Sequence, residues 1–195
     1  MGFLSEEELK KVGFAELGTN VFISDKVSIY NPEKISIGSN VRIDDFCILS
    51  AGEGGIEIGN YVHISCYACL IGKALIKLHD FVAISIKASI LSNTNDFSGE
   101  FLPAYKEIEI PKNAKDLTRV ISKPVIFETH TGLGAHSVVM PGVTISIGSV
   151  VGAMSVVYED LNPWGIYAGN PARFLKRRSD KAYKILMGKK ELDEK

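Results

Sequence analysis

The sequence predicts an all-β solenoid, a prism of stacked coils closed by short helices at both ends and carrying one long loop. Three observations carry the prediction. A large apolar anchor recurs every six residues, Gly, Asp or Asn return between anchors, and the phase is lost once before it resumes. Six is a multiple of two, so the chain can be extended with alternate side chains turned inward. The turn-tolerant residues between anchors then bend it at regular corners. Three short strands make one triangular turn, and successive turns stack.

Residues 1–20 are expected to form an N-terminal helical cap, because a stacked coil leaves its end layer bare. Ser5 and Glu8 have capping-box spacing, and Leu4, Leu9 and Val12 supply an apolar stripe. The solenoid is expected over 21–160. Ile37, Ile43 and Leu49 set its phase, and Ile58, Ile64 and Leu70, then Leu78, Ile84 and Ile90, repeat it. Residues four after an anchor, among them Val41, Cys47, Val62, Ala68, Val82, Ala88, Val143 and Ser155, are expected to point inward as well. From about 92 to 123 the hexads give way to polar residues, prolines and aromatics. A loop of that length is usually functional, and here it suggests an arm reaching a neighbouring chain. Phe127, Leu133, Val139, Ile145, Val151 and Val157 restore the phase. Residues 161–195 are read as a C-terminal extension in which Ser179 caps a helix carrying Tyr183, Ile185 and Leu186, a second lid.

Composition sets the class. A chain of 195 residues, 46% hydrophobic and 23% charged, describes a soluble globular protein with one substantial core. No apolar run approaches a membrane span, and the N-terminus lacks a signal peptide's basic start and apolar centre, so the chain is expected in the cytoplasm. A net charge of −1 and no reading motif argue against nucleic acid as a partner. Cys66 and Cys69 form a lone C-x-x-C with Cys47 as the one further thiol, and are read as small core or wall residues rather than a metal or redox site.

The hexad anchors, the interrupting loop and the ending "MPGVTISIGSVVGAMSVVYEDLNPWGIYAGNPARFLKRR" resemble the left-handed parallel β-helix acyltransferases. Within that family the resemblance is to galactoside and maltose O-acetyltransferases and nucleotide-amino-sugar N-acetyltransferases, over about residues 20 to 178. It implies a left-handed coil, a homotrimer with active sites in clefts between prisms, and acetyl-coenzyme A as co-substrate along the C-terminal coils, with no metal required. It also implies a small-molecule sugar or nucleotide-sugar acceptor. Residue by residue, Ala153 falls where relatives pack the pantetheine arm, and Gly169 at a bend near the coenzyme. Arg173 and Lys176 fall where basic residues meet its phosphates. Trp164 and Tyr167 either border the adenine or cap the last coil. Where many relatives carry Thr-Lys-Asp, this chain has Tyr158-Glu159-Asp160, which removes a basic contact.

Acyl transfer needs a nucleophile relieved of its proton. The galactoside branch uses a histidine on the interrupting loop, and this loop has none; it offers Asn93, Asn95, Asp96 and Glu100 as acceptor-binding groups. His63 precedes Ile64 and so turns outward onto a prism face, which makes it the leading candidate base. His130 follows the loop's return and is the second, whereas His79 and His136 fall at corners. Asp96 either contacts the sugar, orients a histidine, acts as base if burial raises its pKa, or closes an Asx turn. An amine acceptor tolerates a weaker base than a hydroxyl, which favours N-acetylation of a nucleotide-linked amino sugar for surface polysaccharide synthesis. O-acetylation of a galactoside or glycan precursor and a non-catalytic scaffold are the alternatives. A zinc-dependent γ-class carbonic anhydrase lacks its close ligand pair here.

Overall fold

The computed structural model describes residues 2–101 and 118–188. The chain is a left-handed parallel β-helix whose three faces are parallel sheets, with two short α-helices among the described residues. Each coil lays one short strand on each face in turn. The first face runs from Glu16–Leu17 through Ile35–Ile37, Ile56–Ile58, Ile76–Leu78 and Val125–Phe127 to Thr144–Ile145. The second runs from Phe22–Ile23 through Arg42–Ile43, His63–Ile64, Ala83–Ile84, Gly132–Leu133 and Val150–Val151 to Gly165–Ala168, and ends in the antiparallel strand Arg173–Arg177. The third runs from Ser28–Tyr30 through Ile48–Ala51, Cys69–Gly72 and Ser89–Leu91 to Val138–Val139 and Val156–Val157.

The expected inward residues form the core. Every anchor named above is at most 4% exposed, and the residues four positions on are buried with them. Each fully buried Ile or Leu contributes roughly 1.5–3 kcal/mol of transfer free energy. Toward the C-terminal end the position four after the anchor changes character, to Thr131, Ser137, Ser149 and Ser155. These hydroxyls stay buried because each donates to a coil carbonyl, at 2.8, 2.9, 2.6 and 2.8 Å respectively.

The long loop leaves the stacking intact. Ile76 pairs directly with Val125 across it, and its base is an antiparallel ribbon of Asn93–Asn95 with Val120–Ser122.

The corners depart from the expected turn chemistry. Besides Asn20 and Asn40, left-handed backbone is adopted by Phe46, Tyr61, Tyr67, Phe81, Lys87, His130, His136 and Met154. That conformation costs a non-glycine residue roughly 1–2 kcal/mol. Stacking between coils offsets it: Tyr61 on Phe81 at 4.9 Å, Phe81 on His130 at 4.6 Å, and Phe46 on Tyr67 at 5.0 Å between ring centroids.

The two helices differ in role. In α1 (Glu6–Val12) the capping box of Ser5 and Glu8 is formed, Gly13 takes the left-handed C-cap, and Leu9 is buried against the core. In α2 (Lys181–Leu186) nothing is buried, Asp180 rather than Ser179 holds the N-cap position, and Ile185 and Leu186 face solvent. This helix does not close the prism. Leu161 and Tyr167 do, with the Tyr167 hydroxyl accepting from the Asn162 amide at 3.0 Å. Cys47 lies in the core, whereas Cys66 and Cys69 are half-buried wall residues.

Candidate active site on the second face

Side chains alternate, so the residue before each second-face anchor points outward, and the register stacks these into one column. Along the axis it reads Phe22, Arg42, His63, Ala83, Gly132, Val150 and Ile166. The residues after the anchors make a parallel column that includes Asp44, Ser65, Ser85, Gly134, Gly152 and Ala168. Beyond His63 both columns shrink to Ala, Ser and Gly until Val150, leaving a trough with His63 as its head wall. The Gly132 backbone does not itself demand glycine, but an added Cβ would press on the Val150 side chain at 3.3 Å. Its missing side chain keeps the column low at this coil. Gly134 is different: a Cβ there would lie 2.5 Å from the Ala153 amide nitrogen, so coil packing itself demands glycine.

At the head of the trough His63 is half exposed, and its Nε2 lies 2.9 Å from Asp44 Oδ2. The other carboxylate oxygen of Asp44 accepts from Arg42 Nε at 2.7 Å. Arg42 in turn lies 5.5 Å from the Phe3 ring centroid. Burial pushes the Asp44 carboxyl up, but the hydrogen bonds from Arg42 and His63 outweigh it and hold the group below the ordinary carboxylate range. Sequence reasoning found His63 and missed its two partners. The available signal was the coil length: Arg42 and Asp44 flank the anchor Ile43 as His63 and Ser65 flank Ile64.

The other histidines stand elsewhere. His130 is at the corner between the first and second faces, stacked on Phe81 and met edge-on by Tyr183 at 5.0 Å. Burial, and then the Arg178 guanidinium, push its pKa below the ordinary value. Trp164 lies 5.2 Å from Tyr183, and with His130, Arg178 and Leu186 they line a pocket of about 320 Å³. Arg178 is a structural residue, donating to the carbonyls of His130 and Gly148 at 2.8 Å each. His79 and His136 are exposed.

The loop residues are rooted away from the trough, on the ribbon that follows the third face. The Asn93 carboxamide oxygen accepts from the Lys73 amide at 3.1 Å, and Asn95 pairs with Val120. Asp96 closes the Asx turn, accepting from the Ser98 amide at 2.8 Å, with Arg119 Nε 3.7 Å away. The Ser98 hydrogen bonds hold its carboxyl below the ordinary range. The raised pKa that a carboxylate base requires is absent from this arrangement. Glu100 is exposed.

The candidate coenzyme residues divide. Tyr167 is inside the prism, and Trp164 is on the far corner. Ala153 and Gly169 follow the trough along the corner between the second and third faces. Arg173 and Lys176 lie on the antiparallel strand beyond it. An irregularity opposite Ile166 and Tyr167 resets the alternation, so that Arg173 opposes Ala168 and Lys176 opposes Ile166. Both basic residues thus share the outer side of the face. From His63 to Lys176 there are five strand spacings, about 24 Å at ~4.8 Å each. Tyr158, Glu159 and Arg173 border a smaller pocket of about 130 Å³ at the prism's end, where Asp160 accepts from the Thr144 amide at 2.7 Å.

A left-handed β-helix with such a trough could hold an extended ligand along its coils, and comparison with known proteins gives the family. No family model matches the chain. It is 40% identical over 185 residues to the dTDP-4-amino-4,6-dideoxy-D-glucose acyltransferase of Escherichia coli, covering 95% of this chain and 93% of that protein. It is 27% identical over 175 residues to the galactoside O-acetyltransferase of Escherichia coli K12, over 90% of this chain and 70% of that one. Among solved structures, an aspartate-to-asparagine variant of AntD, an N-acyltransferase from Bacillus cereus, in complex with dTDP and coenzyme A superposes with a TM-score of 0.88. The pair are 46% identical, over 96% of this chain and 97% of that one. Another AntD structure contains dTDP and 3-hydroxybutyryl-CoA. The chain belongs to the hexapeptide-repeat acyltransferase family.

Proposed function

We propose that this protein is an N-acyltransferase that moves an acetyl group from acetyl-coenzyme A to the amine of a nucleotide-linked amino sugar. The observation that carries this reading is the 40% identity, end to end, to an acyltransferase of a dTDP-linked 4-amino sugar. The bound dTDP and coenzyme A of the AntD structures agree with it. The lower identity and coverage of the galactoside enzyme place O-acetylation second. The product suits cytoplasmic assembly of a surface polysaccharide.

The trough supports a coenzyme bound lengthwise. Arg173 and Lys176 would take its phosphates, Ala153 and Gly169 would flank the pantetheine arm, and the thioester would reach His63. The amine nitrogen attacks the thioester carbonyl carbon, a C–N bond forms, and the C–S bond breaks as the tetrahedral intermediate collapses. His63 takes the proton shed by nitrogen and returns it to the leaving thiolate, so amine and thioester become amide and thiol. Asp96 serves as a hydrogen-bond acceptor for the sugar.

Trimerisation completes the site. The outer side of the third face carries Ile48, Ile71, Leu91, Val138, Met140 and Val156, apolar side chains interspersed with Ser50, Cys69 and Ser89, a surface suited to a second copy. Packing prisms side by side would carry the loop with Asp96 from one chain toward the second face of the next.

The test is acyl transfer from acetyl-, 3-hydroxybutyryl- and longer acyl-coenzyme A to dTDP-4-amino-6-deoxy sugars and to free galactosides, followed by thiol release. Turnover confined to galactosides would overturn the proposal, as would release that no acceptor stimulates.

A further inference from the structure

We infer that Asp44 is the positioning residue of this site: its carboxylate fixes the imidazole of His63 in the tautomer that leaves Nδ1 unprotonated, while Arg42 braces the carboxylate from its other oxygen. The inference rests on His63 being the base. The geometry is a chain of single contacts, Arg42 Nε to Asp44 Oδ1 at 2.7 Å and Asp44 Oδ2 to His63 Nε2 at 2.9 Å. Asp44 is 8% exposed, so its carboxylate has these partners rather than bulk water as its surroundings. An ionised carboxylate only accepts hydrogen bonds, and a neutral imidazole protonates one nitrogen. The proton therefore sits on Nε2, and Nδ1 carries the lone pair that removes the amine proton. Of the charged groups on neighbouring elements, Arg42 and Asp44 come from the preceding coil, and the following coil presents Ala83. His63's own coil adds Tyr61, Cys66 and Tyr67 at its corners.

Arg42 gives the arrangement a specific vulnerability. In Asp44→Asn the Arg42 Nε–H demands the amide oxygen, which turns the amide NH₂ toward His63. That NH₂ needs an acceptor, so Nε2 loses its proton, Nδ1 gains it, and the base is blocked. Asp44→Ala imposes no tautomer. Asparagine is therefore expected to be the worse substitution, although it is the more conservative one.

The experiment measures turnover across pH, Michaelis constants, and imidazole ¹⁵N shifts in the full-length protein. Asp44→Asn should fall to the level of His63→Ala, roughly 10²- to 10⁴-fold below wild type, with the Michaelis constant for the acyl donor unchanged. Asp44→Ala should lose less. Adding Arg42→Met to Asp44→Asn should restore turnover at least several-fold, because the amide is then free to turn over. Wild-type His63 should show a protonated Nε2 and a bare Nδ1, and Asp44→Asn the reverse. Equal loss in the two Asp44 variants, no recovery on removing Arg42, or a protonated Nδ1 in wild type would overturn the inference. If His63→Ala is impaired while Asp44→Asn is not, positioning fails alone; if His63→Ala turns over normally, the base assignment falls and this inference with it. Should Asp44→Asn fold poorly by thermal melting, the wild-type ¹⁵N shifts decide.

Discussion

Ile76 and Val125 are direct partners in the first face, although the long loop separates them in the chain. The loop is therefore an addition to a continuous stack, not a break in it. Joining Asn95 to Val120, which already pair, by a two-residue Asn-Gly turn should preserve the prism. The expected result is a melting temperature within a few degrees of wild type and a loss of sugar acylation at least as large as that of Asp96→Asn, since Asp96 goes with the loop. Unfolding of the shortened chain would show that the loop holds the coils together.

Core and wall positions of one coil should respond differently. Ile84 is 1% exposed and Ile86, two residues on, is 39% exposed. Ile84→Ala should cost about 2–5 kcal/mol, and Ile86→Ala about 0.5 kcal/mol or less, in denaturant titrations.

The fold was legible because the six-residue period fixes which side chains point inward, and burial follows from that alone. Corner chemistry was less so: Tyr61, Phe81 and His130 adopt left-handed turn conformations, and stacking between coils, which joins residues distant in the chain, accounts for them. The same holds at the site. Strand alternation turned His63 outward, but its partner Asp44 comes from the previous coil, and reading it requires the coil length as well as the hexad. Tyr167 was ambiguous because parity alone does not say where the last coil ends. The C-terminal helix misled as a lid, since its apolar residues Ile185 and Leu186 have no core beneath them.

Cysteine reactivity follows from the same geometry. Burial, and then the nearby Asp44 carboxylate, push the Cys47 thiol up to about 12, whereas Cys66 and Cys69 lie on the wall. At neutral pH a maleimide should label the native protein at no more than two cysteines, with the third appearing only in denaturant. Rapid labelling of Cys47 in the folded chain would mean that the coil opens there.

Reversing the charge of Arg173 or Lys176 should raise the Michaelis constant for acetyl-coenzyme A by roughly 5- to 50-fold, about 1–2 kcal/mol of a charge-assisted phosphate contact. A truncated donor without the nucleotide phosphates should be nearly indifferent. Equal losses with both donors would assign the two residues to the strand rather than to the coenzyme.

The last prediction separates the charge of Asp96 from its turn. In Asp96→Asn the side-chain oxygen still accepts from the Ser98 amide, so the Asx turn persists while the negative charge is lost. Acceptor binding or turnover should fall about tenfold, and the Michaelis constant for the acyl donor should not move, as expected for one charge-assisted contact to the sugar. The pH dependence gives the sign. The folded carboxyl is held below its ordinary value by the Ser98 hydrogen bonds, with a smaller contribution from Arg119. Its stabilisation of the loop is therefore complete above the unfolded pKa near 4 and is lost as pH falls through the lower folded value. Between pH 5 and 9 the loop should thus stay closed, and no change in rate over that range is expected to come from Asp96. Protection of the Ser98 amide from hydrogen exchange checks this directly. It should hold across that range in wild type and in Asp96→Asn, and should weaken below about pH 4 in wild type alone. Loss of protection in the asparagine variant at neutral pH would show that the charge, rather than the turn, orders the loop.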